Sequence, residues 1–167
     1  DKIPTLRPAF KKDGTITAAT SSSISDGAAA MVLTRASIAE KHGKTPVARI
    51  VAHAAHAQAP AEFTIAPVEA INKCLAKAGW KVDEVDLFEV NEAFACVAMF
   101  AMQDVGIPHE KINVNGGATA LGHPIGASGT RILTTLIAAL ENRGLKRGVA
   151  SLCIGGGEGT AVAVELL

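Results

Sequence analysis

The sequence predicts an α/β domain, and three observations carry that prediction. Short runs rich in Val, Ile and Leu alternate with stretches whose apolar residues recur at helical spacing; several of those stretches end at a glycine; and the last two apolar runs flank the turn GGGEG. Strands interleaved with helices in this way imply a mixed sheet covered by helices, largely parallel at its centre and closed by an antiparallel hairpin of the last two strands.

The elements follow in order. Residues 1–25 mix Pro, Lys, Thr and a serine run without periodicity and read as an irregular lead-in that leans on something else. DGAAAMVLT, residues 26–34, suits a buried strand, and ASIAEKHG reads as a short helix stopped by Gly43. A strand is expected from about Val47 to His53. Pro67 fits the first turn of a helix running to about Ala78, with Val68, Ile71 and Leu75 on one side and Gly79 beyond it. Val85 to Val90 reads as a strand, Glu92 to about Val105 as a helix, and Lys111 to Val114 as a strand. After a glycine-rich loop, Ile125 to Asn142 is a helix with Ile132, Leu136 and Leu140 in register, ended by Gly144. Gly148 to Ile154 and Thr160 to Leu166 complete the order βαβαβαββ.

Composition limits the function classes. With 167 residues, 49% hydrophobic and 19% charged, the chain buries one real core with room for a small appendage. Its 16 basic and 16 acidic residues cancel, and the basic ones are scattered, so neither nucleic acid nor an anionic membrane is an expected partner. The longest apolar runs are about half the roughly 20 residues a bilayer span requires, and DKIPTLRPAF has no signal-peptide core. An intracellular location is therefore expected. Three cysteines, Cys74, Cys96 and Cys153, without CxxC spacing are read as free thiols. His53 and His56 have no third ligand nearby, so no metal site is expected.

Three residues carry candidate chemistry, each where a strand gives way to a turn, and in α/β sheets the ligand crevice lies beyond the carboxyl ends of strands. Cys153 precedes Gly155, Gly156 and Gly157 (with Ile154 between), so backbone N–H groups can approach a bound group with no side chain in the way. Such a thiol is a nucleophile or, once ionised, a base; the plainer alternative is a buried apolar cysteine. GGGEGT lacks the Gly-Lys-Ser/Thr ending of a phosphate loop and leads into a strand. His123, between Gly122 and Pro124, offers an imidazole to take a proton or to meet an oxyanion, or else is tied up in loop hydrogen bonds. Asn91 is either an N-cap of the following helix or an amide that orients a water or a substrate carbonyl. Cys74 and Cys96 fall in amphipathic stretches and read as core filler, as do Met99, Phe94 and Phe100.

Taken together, VNEAFA, NVNGGATALGHPIGASGTRI and CIGGGEG resemble, in order and spacing, the C-terminal half of a thiolase. The similarity covers essentially the whole chain. It implies that residues 1–24 are the tail of a loop domain, 25–45 the last strand and helix of the N-terminal domain, and 46–167 the complete C-terminal domain. It further implies Claisen condensation of two acetyl-CoA to acetoacetyl-CoA and its reverse, through an acyl-cysteine carried by an N-terminal half outside this sequence. In that scheme His123 activates the absent nucleophile and, with a water held by Asn91, stabilises the enolate. Cys153 moves the α-carbon proton, Gly155 offers a backbone N–H to the thioester oxyanion, and Ser22 contacts the pantetheine arm of coenzyme A. No cofactor is implied beyond the coenzyme A thioester as substrate; the implied partners are the N-terminal half and further copies in an oligomer, and the implied location is the bacterial cytoplasm or an organelle matrix. Where thiolases commonly show Asn-Ala-Ser-Gly, this chain has TSSS at 20–23, while EFTIAP at 62–67 resembles the acetoacetyl-CoA branch. The isolated chain is expected to show no turnover. Two other readings compete: a non-catalytic assembly or ligand-binding domain, and a condensing enzyme of the ketoacyl-synthase kind.

Overall fold

The computed structural model describes residues 2–167. One sheet of four strands, in the order β1-β4-β3-β2, organises the chain. Its members are β1 (Ala48–Ala57), β2 (Leu87–Val90), β3 (Arg147–Ile154) and β4 (Glu158–Leu166). The helices are α1 (Ala36–Lys41), α2 (Ala66–Ala78), α3 (Ala95–Phe100), α4 (Ala118–Leu121) and α5 (Ser128–Arg143).

The α/β class and the mixed sheet are as expected, with a smaller parallel share than the interleaving of strands and helices suggests. Only β2 and β3 run parallel; β3 with β4 and β4 with β1 are antiparallel. The tight turn Gly155–Gly157 returns β4 beside β3, and β1 then takes β4's free edge, so the first strand ends up against the last.

Two predicted strands are absent. Residues 26–34 form no ladder with any strand among the described residues, and Val32 and Leu33 stand exposed. At 111–114 a 3-10 turn, His109–Lys111, leads to an isolated bridge between Ile112 and Phe88. There Asn113, at φ 48°, does a strand's work with its side chain: Oδ1 accepts from Val90 N at 2.8 Å and Nδ2 donates to Val90 O at 2.8 Å. A left-handed residue cannot continue a ladder, and its amide supplies the donor and acceptor a strand neighbour would have given. The helix expected from Glu92 begins later, at Ala95, and widens into a π turn over Ala101–Val105.

Side-chain alternation divides the sheet into two faces. On one, Phe88, Val90, Val149, Ala161 and Ala163 meet Ile71, Cys74 and Leu75 of α2 and Val97 of α3. On the other, Leu87, Ala150 and Val164 meet Ile132, Leu136 and Leu140 of α5. The same alternation aims Glu89, two residues after Leu87, at the α5 side. Helix α2 ends at Gly79 and α5 at Gly144, both left-handed, as the glycine stops predict. Cys74 is fully buried core filler and Cys96 half-buried, but Met99 is 59% exposed and does not pack inside.

The lead-in is tied to the molecule through two loops. Ser21 bridges Phe94, Ile24 bridges His123, and His123 N donates to Ser23 O at 2.8 Å. Two cavities, of about 280 and 360 Å³, lie along the seam between residues 25–33 and the Pro124–α5 segment; neither is lined by Asn91, His123 or Cys153.

Candidate active site

The site grows from the carboxyl ends of β2 and β3. Because these strands are parallel, with Val90 opposite Ser151, both end at the same rim. Asn91 N donates to Ser151 O at 2.9 Å, which fixes Asn91 one step beyond the last β2 residue and beside the strand that carries Cys153.

Asn91 is 1% exposed and is not an N-cap: α3 starts at Ala95, with Phe94 in the cap position and no side-chain cap bond. Its amide instead joins a directed chain of hydrogen bonds. Arg131 Nη2 donates to Asn91 Oδ1 at 3.3 Å, which turns Asn91 Nδ2 toward His123 Nε2, 3.4 Å away. On the other side of the ring, His123 Nδ1 lies 2.6 Å from Ser128 Oγ, and the Ser128 hydroxyl donates to Pro124 O at 3.0 Å. A hydroxyl has one proton to give. With that proton spent on Pro124, His123 donates from Nδ1 and presents the lone pair of Nε2 to Asn91 and the rim. Burial and, next, the Arg131 charge hold the imidazole below its ordinary pKa, so it rests neutral.

The loop that carries His123 is shaped by contact. Gly122 sits at φ 93°, and a Cβ there would meet Ser25 Oγ at 2.2 Å, so the lead-in and the GHP turn can close on each other only at a glycine.

Cys153, 6% exposed, occupies the penultimate position of β3 and packs with Val97 in the α2 and α3 cluster. It reaches the same rim but makes no hydrogen bond to His123 or Asn91, which meet each other directly. Burial pushes its thiol up to about 11, with Cys96 nearby adding to the effect. At neutral pH it is therefore a protonated thiol, set to give a proton before it can take one.

Gly155 follows in the exposed turn, and a Cβ there would meet nothing within 4 Å, so its backbone faces open space. The later glycines serve packing: a Cβ on Gly157 would lie 2.4 Å from Gln58 O and one on Gly159 2.6 Å from the Ala66 backbone. Ser22 is fixed by both its N and its Oγ, which donate to Ala93 O at 3.1 and 2.9 Å, just past Asn91.

Four site residues were missed in the sequence reading. Ser128 and Arg131, three apart on α5, turn one helix face toward the rim. Glu92 accepts from Asn113 Nδ2 at 2.8 Å and from Thr119 N at 3.2 Å, tying the β2 exit to α4. Glu89 is 2% exposed within the wholly buried strand LFEV. A lone carboxylate in an apolar strand was the available signal, since buried charges are rare without a partner.

At the carboxyl ends of the parallel pair β2 and β3, this α/β fold sets a carboxamide against an imidazole and carries a buried thiol on the neighbouring strand. The family model described as thiolase, C-terminal domain, matches residues 44–166, and that described as thiolase, N-terminal domain, matches residues 1–37. The chain belongs to the thiolase family. It is 52% identical over 165 residues to the acetyl-CoA acetyltransferase of Chromobacterium violaceum, covering 99% of this chain and 42% of that protein. To the cytosolic acetyl-CoA acetyltransferase of Mus musculus it is 49% identical over 162 residues, covering 96% and 41%. Among solved structures, the Bacillus anthracis acetyl-CoA acetyltransferase superposes with a TM-score of 0.96 at 44% identity, over 99% of this chain and 42% of that one. Human mitochondrial 3-ketoacyl-CoA thiolase in complex with CoA gives 0.90 at 43% identity, over 98% and 42%. The chain thus spans about two-fifths of the length of these relatives. Membership in the thiolases sets aside the ketoacyl-synthase reading.

Proposed function

We propose that this chain is the acid–base portion of an acyl-CoA C-acyltransferase of the acetyl-CoA acetyltransferase kind, which condenses two acetyl-CoA to acetoacetyl-CoA and CoA or runs in reverse. The observation that carries it is the Asn91–His123 contact at the rim shared with Cys153, within a family whose similar members bear that enzyme name. In the thiolysis direction the protonated Cys153 gives its proton to the α-carbon as the carbon–carbon bond breaks. In condensation the resulting thiolate takes that proton back. The Nε2 side of His123, held neutral, accepts the proton of the attacking thiol, and the donors around it stabilise the enolate oxygen. Gly155, with its backbone unobstructed, is assigned to the thioester oxyanion, and Ser22 to the coenzyme A arm.

The nucleophile belongs to an N-terminal half, the chain's first partner; acyl-CoA is its substrate, and self-association completes the enzyme. Residues 1–24 then belong to its loop domain and 25–45 to its N-terminal domain. We place it in the cytoplasm or an organelle matrix. No helix among the described residues is long and apolar enough to cross a membrane.

The test is thiolysis of acetoacetyl-CoA by CoA, measured for this chain alone and for a polypeptide joining it to the N-terminal half of a relative. No turnover alone, turnover when joined, and loss of that turnover in Cys153→Ala support the proposal. Normal turnover by the isolated chain, or a joined Cys153→Ala variant at full rate, refutes it.

A further inference from the structure

Behind the Asn91 amide lies a buried ion pair that the chemistry above does not use. Arg131 sends Nη2 to Asn91 Oδ1 at 3.3 Å, while Nη1 lies 3.8 Å from Glu89 Oε2. The Glu89 side chain is 3% exposed and that of Arg131 20%. Glu89 Oε1 and Arg131 Nη1 have no hydrogen-bond partner among the described residues. An ion pair held beyond hydrogen-bond length in a desolvated place is a poor source of stability, because desolvation of both charges offsets the attraction. The stabilising contact of this guanidinium is the one to the amide.

A carboxamide left to itself can present either end to His123. With its oxygen toward Nε2, two lone-pair-bearing atoms would face each other; with its nitrogen there, a donor meets an acceptor. The protein resolves this from behind. The planar guanidinium cannot accept a hydrogen bond, so it selects the Asn91 oxygen, and Glu89, two residues earlier on the same face of the strand, sets a carboxyl 3.8 Å from its other terminal nitrogen.

We propose that Arg131 is a positioning residue: through the fork it spreads between Asn91 Oδ1 and Glu89, it fixes the polarity of the Asn91 amide so that Nδ2 faces His123. The assignment rests on the acyltransferase reading for its purpose, but its geometry is testable without any turnover. A lysine at 131 keeps the charge yet places one compact ammonium where the fork needs two arms, so charge and fork are separable.

The experiment is ¹H–¹⁵N NMR of the labelled chain, following the two side-chain N–H resonances of Asn91, assigned by their loss in Asn91→Asp. In the wild type the N–H facing Nε2 is shifted downfield and protected from exchange with solvent. In both Arg131→Lys and Arg131→Met the two resonances collapse toward those of a free amide, and protection falls at least about tenfold. In the joined polypeptide, Arg131→Lys lowers kcat by on the order of ten- to a hundredfold, the scale of a misplaced catalytic group, with KM little changed. Wild-type Asn91 resonances in Arg131→Lys would reduce the residue to a background charge, and wild-type resonances in Arg131→Met would remove any role; either overturns the proposal. Should the joined polypeptide show no turnover at all while the Asn91 signals respond as stated, the acyltransferase reading fails and the positioning role stands.

Discussion

Replacing Glu89 by glutamine keeps the shape of the side chain and removes its titration. Burial pushes the Glu89 carboxyl up to about 7, against the pull of Arg131 and with a smaller push from Glu92. In the unfolded chain the group ionises near its ordinary value of 4.5. Between those two values the unfolded chain has given up its proton while the folded chain still holds one, so stability falls as pH rises through that window. Below 4.5 both states are protonated and no penalty exists. At about 1.4 kcal/mol per pH decade, the folded state loses about 3 kcal/mol relative to the acid end by the time pH exceeds 7. The glutamine variant carries no such loss, whereas every other titrating group contributes equally to both proteins and cancels in the difference. Urea denaturation at pH 4.5, 6, 7 and 8 reads the effect directly. The stability of wild type minus that of Glu89→Gln should fall by about 3 kcal/mol across the series, with most of the change below pH 7. A difference independent of pH would show that Glu89 titrates like an exposed carboxylate and is not buried behind Asn91.

Other outcomes follow from the same geometry. Gly159→Ala drives a Cβ to 2.6 Å from the Ala66 backbone, where no rotamer change relieves the clash, so urea melts should report a loss of about 1–3 kcal/mol; an unchanged midpoint would mean that β4 and the start of α2 are not packed this closely. Peptide-resolved alkylation of Cys153 in the folded chain at pH 7 and 9.5 should run at less than about a tenth of the rate in urea, since the thiolate is scarce below 11; a rate that saturates by pH 9 would contradict the buried thiol. Ser128→Ala removes the acceptor of His123 Nδ1, so imidazole ¹⁵N shifts should change from one tautomer to a mixture; an unaltered single tautomer would place the control elsewhere.

How far the sequence revealed the molecule depended on which interactions were local. Helices α2 and α5, with their apolar spacing and glycine stops, were legible because period and capping act within a few residues. The last two strands around GGGEG were legible for the same reason. Strand direction was not, since nothing near Val47 says that β1 pairs with β4 more than a hundred residues later. Lys111 to Val114 has a strand's composition, yet one left-handed Asn113 bonded through its side chain replaces the ladder. Residues 26–34 have strand character, but a strand exists only beside a partner. At the site, His123, Asn91 and Cys153 stood out because glycines and strand ends surround them. The capping explanation for Asn91 failed because α3 begins four residues later. Ser128 and Arg131 stayed hidden inside a helix read only for its apolar face.

By the proposed function, the Cys153 thiol and the Asn91–His123 pair act on one substrate carbon. Exchange of the acetyl protons of acetyl-CoA with D2O, catalysed by the polypeptide that joins this chain to an N-terminal half, measures that step without requiring bond formation between two substrates. We predict exchange in the wild type, a loss of at least about a hundredfold in Cys153→Ala, and a similar loss in His123→Asn. Exchange at the wild-type rate without the Cys153 sulfur, or without the imidazole, would contradict it.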